Sequence, residues 1–238
     1  MPRVASVPPH PLLFRNDRWR QRLEDQLVLL PTDPTAEQWH ELRDSLGRLA
    51  AWLRMAERPS LRERVKELRR GIGQVRDADI VREHLGGASL SRLERERARQ
   101  AAVLLLRLAA SSTENLLREL RETPPLNHEA AIVACRGTAR RAWKAGRRFA
   151  LDPTPATAHR LRRRLRELRF AREWLRLGTA PIRPLIRRLG RLNDRLLVQS
   201  SPHRHGDGGK AGARIDRGIA RCRSAWRALR STVKEWSR

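Results

Sequence analysis

One stretch in the second half of the chain places a histidine and three arginines along one line of a helix. His159 is followed by Arg162, Arg166 and Arg169, which all lie within roughly 80° of the histidine at the 100° per residue of an α-helix. Guanidinium groups donate paired hydrogen bonds to phosphate oxygens, so this strip predicts binding of a phosphate-bearing anion. A solvated basic face has the same pattern, and the spacing alone leaves that interpretation open.

A weaker copy of this strip occurs in the first half. His40 and Arg43 keep the His-x-x-Arg spacing, but Gly47 and Ala50 stand at the two positions where the second half has arginines. We therefore expect an asymmetric site that binds anions more tightly toward the second half, where removal of Arg166 and Arg169 should weaken binding more than removal of Arg43.

A further set of four residues recurs at spacings of 4, 7 and 11 from its first member. The set is Lys66, Arg70, Gly73 and Asp77 in the first half and Arg183, Arg187, Gly190 and Asp194 in the second. A glycine inside a helix costs roughly 1 kcal/mol relative to alanine, so we expect each to permit close approach of a neighbouring helix. The aspartates are expected to orient a histidine or arginine of that neighbour.

Helical periodicity runs through almost the whole sequence, and no alternating stretch is long enough for a sheet. Proline and glycine clusters divide the chain into about eight helices, with N-caps expected at Thr35 and Ser60 and a capping box at Ser91 and Glu94. After a first helix that ends before Pro31, the predicted helices begin at Thr35 and then span about 61–84, 91–121, 130–148, 155–177, 181–200 and 213–236.

The order of these features predicts an internal duplication. The His-x-x-Arg motif recurs after 119 residues, and the stretch Gly73–Asp77 recurs after 117 as Gly190–Asp194. Short turns make neighbouring helices antiparallel, so we expect an all-α fold of two four-helix bundles related by a pseudo-twofold axis. The expected domain spans 13–236, with halves at 13–122 and 129–236 and an N-terminal tail at 1–12.

Composition limits the class of partner. The 238 residues include 52 Lys+Arg, of which 48 are arginine, against 26 Asp+Glu, which gives a net charge of +26. No apolar run is long enough to span a membrane, and Met1–Pro11 lacks the apolar segment of a secretory signal. Cys135 and Cys222 are too few for a disulfide framework and are expected to pack in the core. We therefore expect a folded cytoplasmic protein with an anionic partner.

The duplicated motifs resemble the CHAD family (conserved histidine α-helical domain). The likeness is closest from His159 to Phe170 and in Leu189–Asp194, and the stretch Gly71–Asp79 matches well in the first half. It spans about 13–236, although Gly47 and Ala50 depart where the family carries basic residues. The resemblance implies that the two bundles surround a basic central pore that binds inorganic polyphosphate. We expect no cofactor and no metal, because two histidines among so many arginines form a poor site for a cation. Carried over by position, the pore-lining residues are His40, Arg43, Lys66, Arg70, His159, Arg162, Arg166, Arg169, Arg183 and Arg187.

Two other classes of function were weighed against polyphosphate binding. The triphosphatase domain joined to some family members has a Glu-x-Glu-x-Lys strand, whereas Glu94-x-Glu96 lies on a predicted helix without the lysine. We therefore expect a polyphosphate-binding or targeting module that is not an enzyme and that associates with polyphosphate or other storage granules. Nonspecific binding of RNA or DNA is the alternative, because a charge of +26 attracts any nucleic acid at low salt. With no tyrosine and three phenylalanines, however, the chain offers few aromatic groups for base stacking.

Overall fold

The computed structural model describes residues 15–84, 89–201 and 208–238, and every regular element in these ranges is a helix. Residues of the predicted N-terminal tail lie outside the described ranges. The α-helices are α1 (Asp17–Val28), α2 (Ala36–Met55), α3 (Pro59–His84), α4 (Ser89–Ala109), α5 (Ser111–Glu122), α6 (His128–Leu151), α7 (Pro155–Trp174), α8 (Arg183–Ser200) and α9 (Gly208–Glu235). A short 3₁₀ turn, Ala180–Ile182, precedes α8. The all-α class is thus confirmed, and none of the described helices is long and apolar enough to cross a membrane.

Local signals place some helix ends correctly and miss others. Thr35 caps α2 as predicted, since its hydroxyl accepts from the Gln38 amide at 3.2 Å while the Gln38 side chain accepts from the Thr35 amide at 2.8 Å. The predicted cap at Ser60 and capping box at Ser91 are wrong, because α3 begins at Pro59 and α4 at Ser89. Helix α9 begins at Gly208, five residues before the predicted start.

The single long helix predicted over 91–121 is wrong as well. The chain leaves the helical conformation at Ala110, where ψ is 150°, and starts again as α5. The buried Thr113 explains the break, since its hydroxyl donates to the Arg107 carbonyl at 2.8 Å and its amide donates to the Ala110 carbonyl at 2.8 Å. A hydroxyl that bonds to nearby backbone competes with the regular helical pattern, and the first half therefore has five α-helices in the described ranges.

Helices α2 and α7 end in the same way. Glu57 and Arg176 both have φ of 54°, and each is followed by an amide that reaches back five residues: Arg58 to the Leu53 carbonyl at 2.9 Å and Leu177 to the Arg172 carbonyl at 2.8 Å. This is a Schellman cap. The two caps are 119 residues apart, which is the offset found between the two His-x-x-Arg motifs.

One continuous apolar core includes residues from each of the nine α-helices found in the described ranges. Trp39, Trp52 and Trp226 are almost fully buried, and both Cys135 and Cys222 are free, buried thiols, as expected from the sequence. Burial raises the pKa of Cys135 to about 11, so it packs as a thiol. Helices α2 and α3 pack together, as do α7 and α8, while α2 also lies against α7 and α3 against α8. These four helices surround the region described below.

We expect Gly146→Ala to destabilise the fold strongly. A Cβ at Gly146 in α6 would lie 2.0 Å from Cζ2 of the buried Trp226 in α9, so the indole would have to move within a packed core. Overpacking of this kind costs about 3 kcal/mol, which thermal denaturation would detect. The matched control is Gly212→Ala, since nothing lies within 4 Å of that position in α9; there alanine should be neutral or stabilising. Equal stability of the two variants would contradict the packing described.

Candidate functional site: an arginine-lined cavity

A cavity of about 370 Å³ lies among α2, α3 and α7. Its described lining is strongly cationic, with seven arginines and one lysine against two carboxylates, Asp77 and Glu167. The cations are Arg43, Arg62, Lys66, Arg69, Arg70, Arg162, Arg163 and Arg166. Gly47, Ala50 and the ring of Phe170 provide an apolar part of the wall.

A second cavity, of about 390 Å³, lies next to the first and is lined partly by α8. Four residues line both cavities: Arg43, Asp77, His159 and Arg162. The second cavity adds Arg76 of α3 together with Asn193, Leu196, Leu197 and Ser200 of α8. The two cavities therefore border on the same side chains of α2, α3 and α7.

Three arginines that line the first cavity lack an anionic partner. Arg43, Arg69 and Arg162 form no ion pair or side-chain hydrogen bond with another described residue, and the Nε of each is buried without an acceptor. Burial, together with the nearby cations Arg69 and Arg76, lowers the pKa of Arg43 to about 10. Buried charges are normally paired, so these guanidinium groups leave the cavity with unused donors and excess positive charge.

The two helix-interior glycines lie beneath two of these arginines. A Cβ at Gly73 would lie 3.4 Å from Nη2 of Arg43, and a Cβ at Gly190 would lie 3.9 Å from Nε of Arg162. We expected these glycines to permit close approach of a neighbouring helix. In the structure, each makes room for an arginine side chain from that helix. The same relation occurs once in each half.

The aspartates that follow these glycines contribute charge near the arginines. Asp77 lies close enough to Arg43 and Arg162 to interact with both electrostatically, yet burial and the nearby Asp194 keep the pKa of Asp77 above its ordinary value. Burial lowers the pKa of Arg162, and Asp194 counteracts that effect. His159 is oriented by a different residue from the one expected, since its Nδ1 lies 2.8 Å from Oδ1 of Asn193; because the amide oxygen only accepts, Nδ1 carries the proton.

Two carboxylates pair with six arginines in and around the first cavity. Asp44 of α2 accepts from Arg166 at 2.7 Å and Arg169 at 3.1 Å, both in α7, and from Arg48 at 3.3 Å. Glu167 pairs with Arg164 at 2.8 Å, with Arg62 at 3.4 Å and with Arg54 at 3.6 Å. Each carboxylate therefore neutralises only part of the positive charge around it and joins α7 to the first half of the chain.

The structure brings together six of the ten residues predicted to bind phosphate. Arg43, Lys66, Arg70, His159, Arg162 and Arg166 line the cavities. The other four lie outside the lining. His40 and Arg187 are exposed, Arg169 pairs with Asp44 and Glu173, and Arg183 donates to the Thr179 hydroxyl at 3.1 Å.

Sequence reasoning missed four arginines of the lining. Arg62, Arg69 and Arg163 line the first cavity and Arg76 the second. A signal for three of them was present, because Arg62, Lys66, Arg69, Gly73 and Arg76 follow one another at spacings of 4, 3, 4 and 3. That is one face of a helix, and it lies beside the line Lys66–Arg70 that was chosen.

Comparison with models of known protein families identifies the family of this chain. A model of the family described as CHAD domain matches residues 15–198. The chain belongs to the CHAD family. The match covers α1 to most of α8 and includes every residue that lines the first cavity of this CHAD domain, while α9 lies beyond it. Searches of curated proteins and of solved structures find no match.

Proposed function

We propose that this CHAD protein binds inorganic polyphosphate in the arginine-lined cavity, as a binding module and not as a catalyst. The observation that carries the proposal is the set of partly buried guanidinium groups of Arg43, Arg69 and Arg162, which have no carboxylate partner among the described residues. A chain of phosphates would supply charge-assisted acceptors for these donors. Membership of the CHAD family supports the same ligand.

The shape of the site suits a linear anion. The two cavities meet at Arg43, Asp77, His159 and Arg162, and in our proposal they form a passage between two halves related by a pseudo-twofold axis. The paired contacts of α2 with α7 and of α3 with α8 support that relation, as do the matching helix caps and the matching Arg–Gly contacts. An extended phosphate chain could then contact cations of both halves at once.

The Asp77 carboxylate restricts which anions this passage favours. Burial raises the pKa of Asp77, and the nearby Asp194 raises it as well. The negative charge of an approaching phosphate would act in the same direction and favour the protonated carboxyl. A flexible chain can bend so that its oxygens approach Arg43 and Arg162, which line both cavities. We place the protein in the cytoplasm, where attachment to polyphosphate granules would follow from such binding.

The proposal predicts selective binding at physiological salt. Labelled long-chain polyphosphate is titrated at about 150 mM salt, where exposed charges more than a Debye length apart are largely screened, and single-stranded RNA and duplex DNA are added as competitors. We expect retained binding that neither nucleic acid displaces at equal phosphate concentration. Displacement by RNA or DNA would overturn the proposal in favour of a generic nucleic-acid-binding surface, which a net charge of +26 would also provide.

A further inference from the structure

A second arginine-lined cleft lies on the other flank of α8, between α8 and α9. It has a volume of about 460 Å³ and is lined by Arg188, Arg191 and Arg195 of α8 and Arg221 of α9. Leu192, Gly218, Cys222 and Ser224 complete the described lining. We refer to this space as the α8/α9 cleft.

Among the residues that the structure describes, the lining of the α8/α9 cleft contains four guanidinium groups and no carboxylate. All four arginines are exposed, and within the described ranges none of them forms an ion pair or a side-chain hydrogen bond. The first cavity differs in this respect, since Asp77 and Glu167 belong to its wall. Four converging cations without an acid attract a multiply charged anion.

Beneath the cleft, a glycine leaves space next to one of these arginines. Gly218 of α9 faces Leu192 and Arg195, and a Cβ there would lie 3.1 Å from Cδ1 of Leu192 and 3.8 Å from Nη1 of Arg195. The buried Cys222 and Leu192 form an apolar floor, and burial raises the pKa of the Cys222 thiol. The charged groups therefore stand at the rim of a preformed apolar depression.

The spacing of the arginines suits a chain better than a single ion. Arg188, Arg191 and Arg195 extend over seven residues of α8, or about 10 Å along the axis at 1.5 Å per residue. No aromatic residue belongs to the described lining, so the cleft lacks the stacking surfaces by which proteins hold single-stranded nucleic acid. The chemistry favours a phosphate chain without bases.

The α8/α9 cleft and the second cavity lie on two sides of one helix. Asn193, Leu196, Leu197 and Ser200 face the cavity, whereas Arg188, Arg191 and Arg195 face the cleft. An α-helix with its side chains is about 10 Å across. A polyphosphate chain that leaves the cavity near Ser200, the last residue of α8, needs to pass around only this helix to reach Arg195.

We infer that the α8/α9 cleft is a second polyphosphate-binding site, which holds the part of a long chain that extends beyond the cavity. This inference rests on the proposed function. Two linked contacts make the second binding event intramolecular, so affinity rises for chains long enough to reach both sites. The protein would thereby select long polyphosphate over short. The family match ends before α9, so the preference for long chains depends in part on α9 residues that lie outside the match.

The test compares two double variants with ligands of two lengths. Arg191→Gln with Arg195→Gln removes two cations from the cleft, and Arg227→Gln with Arg230→Gln removes two exposed cations elsewhere on α9. Binding of long-chain polyphosphate and of tripolyphosphate is measured by calorimetry at about 150 mM salt. We expect the cleft variant to lose about tenfold in affinity for the long chain and to bind tripolyphosphate unchanged, while the control variant binds both normally.

Three outcomes would overturn the inference. They are an equal affinity of the cleft and control variants for the long chain, an equal loss for both ligand lengths in the cleft variant, and a loss confined to RNA or DNA binding. Failure of the proposed function is recognised separately, because tripolyphosphate binding that is unaffected by Arg162→Gln would contradict the cavity itself. A third readout is the dependence of log affinity on log salt, whose slope should fall by about one for each phosphate-contacting cation removed.

Discussion

Replacing Arg162 with glutamine is expected to weaken polyphosphate binding and, at the same time, to stabilise the free protein. The Arg162 side chain lines both cavities, and its Nε is buried without an acceptor. A hydrogen bond to a charged group contributes about 1.5–3 kcal/mol, so Arg162→Gln should reduce affinity by about ten- to a hundredfold. Without ligand, the same change removes a partly buried cation that faces Arg43 and Arg76, and the melting temperature should rise.

A lower affinity combined with a higher melting temperature distinguishes a residue that binds the ligand from one that acts only in packing. Arg160→Gln is the matched control, because Arg160 is exposed on the same helix and makes no ion pair in the described structure. Titration calorimetry and thermal denaturation are performed on both variants and the parent protein. Unchanged polyphosphate affinity in Arg162→Gln would show that the cavity is not where the ligand binds. A loss of both affinity and stability would indicate that Arg162 acts mainly in packing.

The contacts also change the order of effects that the sequence suggests for the other arginines. The gap at Gly47 and Ala50 predicts that Arg166 and Arg169 matter more than Arg43 for binding. In the structure, however, Arg169 is already neutralised by Asp44 and Glu173, whereas Arg43 has no carboxylate partner in the described ranges. We now expect Arg43→Gln to cost more affinity than Arg169→Gln, with the larger loss of stability in the latter.

Periodicity predicts the all-α class, most of the helices and most of the cationic strip, because these depend on positions a few residues apart. His159, Arg162 and Arg166 all line the cavities, and Leu161, Leu165 and Leu168 on the other face are fully buried. Long-range pairings leave no such trace. Nothing near Asp44 in the sequence indicates that its carboxylate meets Arg166, which is 122 residues away.

The same limit explains the meaning of Gly47. In the sequence, Gly47 stands at a position where the second half has an arginine. In the structure, a Cβ at Gly47 would lie 2.8 Å from Cε2 of Phe170 in α7. The ring of Phe170 is almost completely buried and contacts the guanidinium of Arg169, with Cζ 4.6 Å from its centroid. The absence of a side chain at position 47 thus serves the contact between α2 and α7, which only the folded structure reveals.

The second large effect is expected at Asp44, where Asp44→Asn should destabilise the free protein and increase the stabilisation that polyphosphate confers. Asp44 accepts from Arg166, Arg169 and Arg48, and its side chain is 19% exposed. Removing one partner of a buried ion pair costs about 3 kcal/mol or more, because the other charge stays buried without compensation. Here Arg166 loses its carboxylate partner, while Arg48 and Arg169 keep only their contacts with Glu173.

The pH dependence of stability gives an independent measure of this contribution. Burial alone would raise the pKa of Asp44, but Arg166, Arg169 and Arg48 outweigh it and hold the pKa below its ordinary value. The stabilisation is therefore fully present above the pKa of the unfolded chain and is lost as pH falls through the lower pKa of the folded protein. The parent protein should lose this part of its stability in acid, whereas Asp44→Asn has already lost it at neutral pH.

Polyphosphate should act as a replacement for the missing carboxylate. Arg166 lines the first cavity while it pairs with Asp44, so in Asp44→Asn its guanidinium is free to bind phosphate oxygens with full charge. Tighter binding to the folded state raises the melting temperature further at a given ligand concentration, and the difference between variant and parent should narrow as polyphosphate is added. Asp33→Asn is the control, since it changes the net charge equally but removes only an exposed pair with Arg97, which contributes little. If the two variants melted together and responded equally to polyphosphate, Asp44 would be an ordinary surface carboxylate, and the competition between carboxylate and phosphate for Arg166 would be excluded.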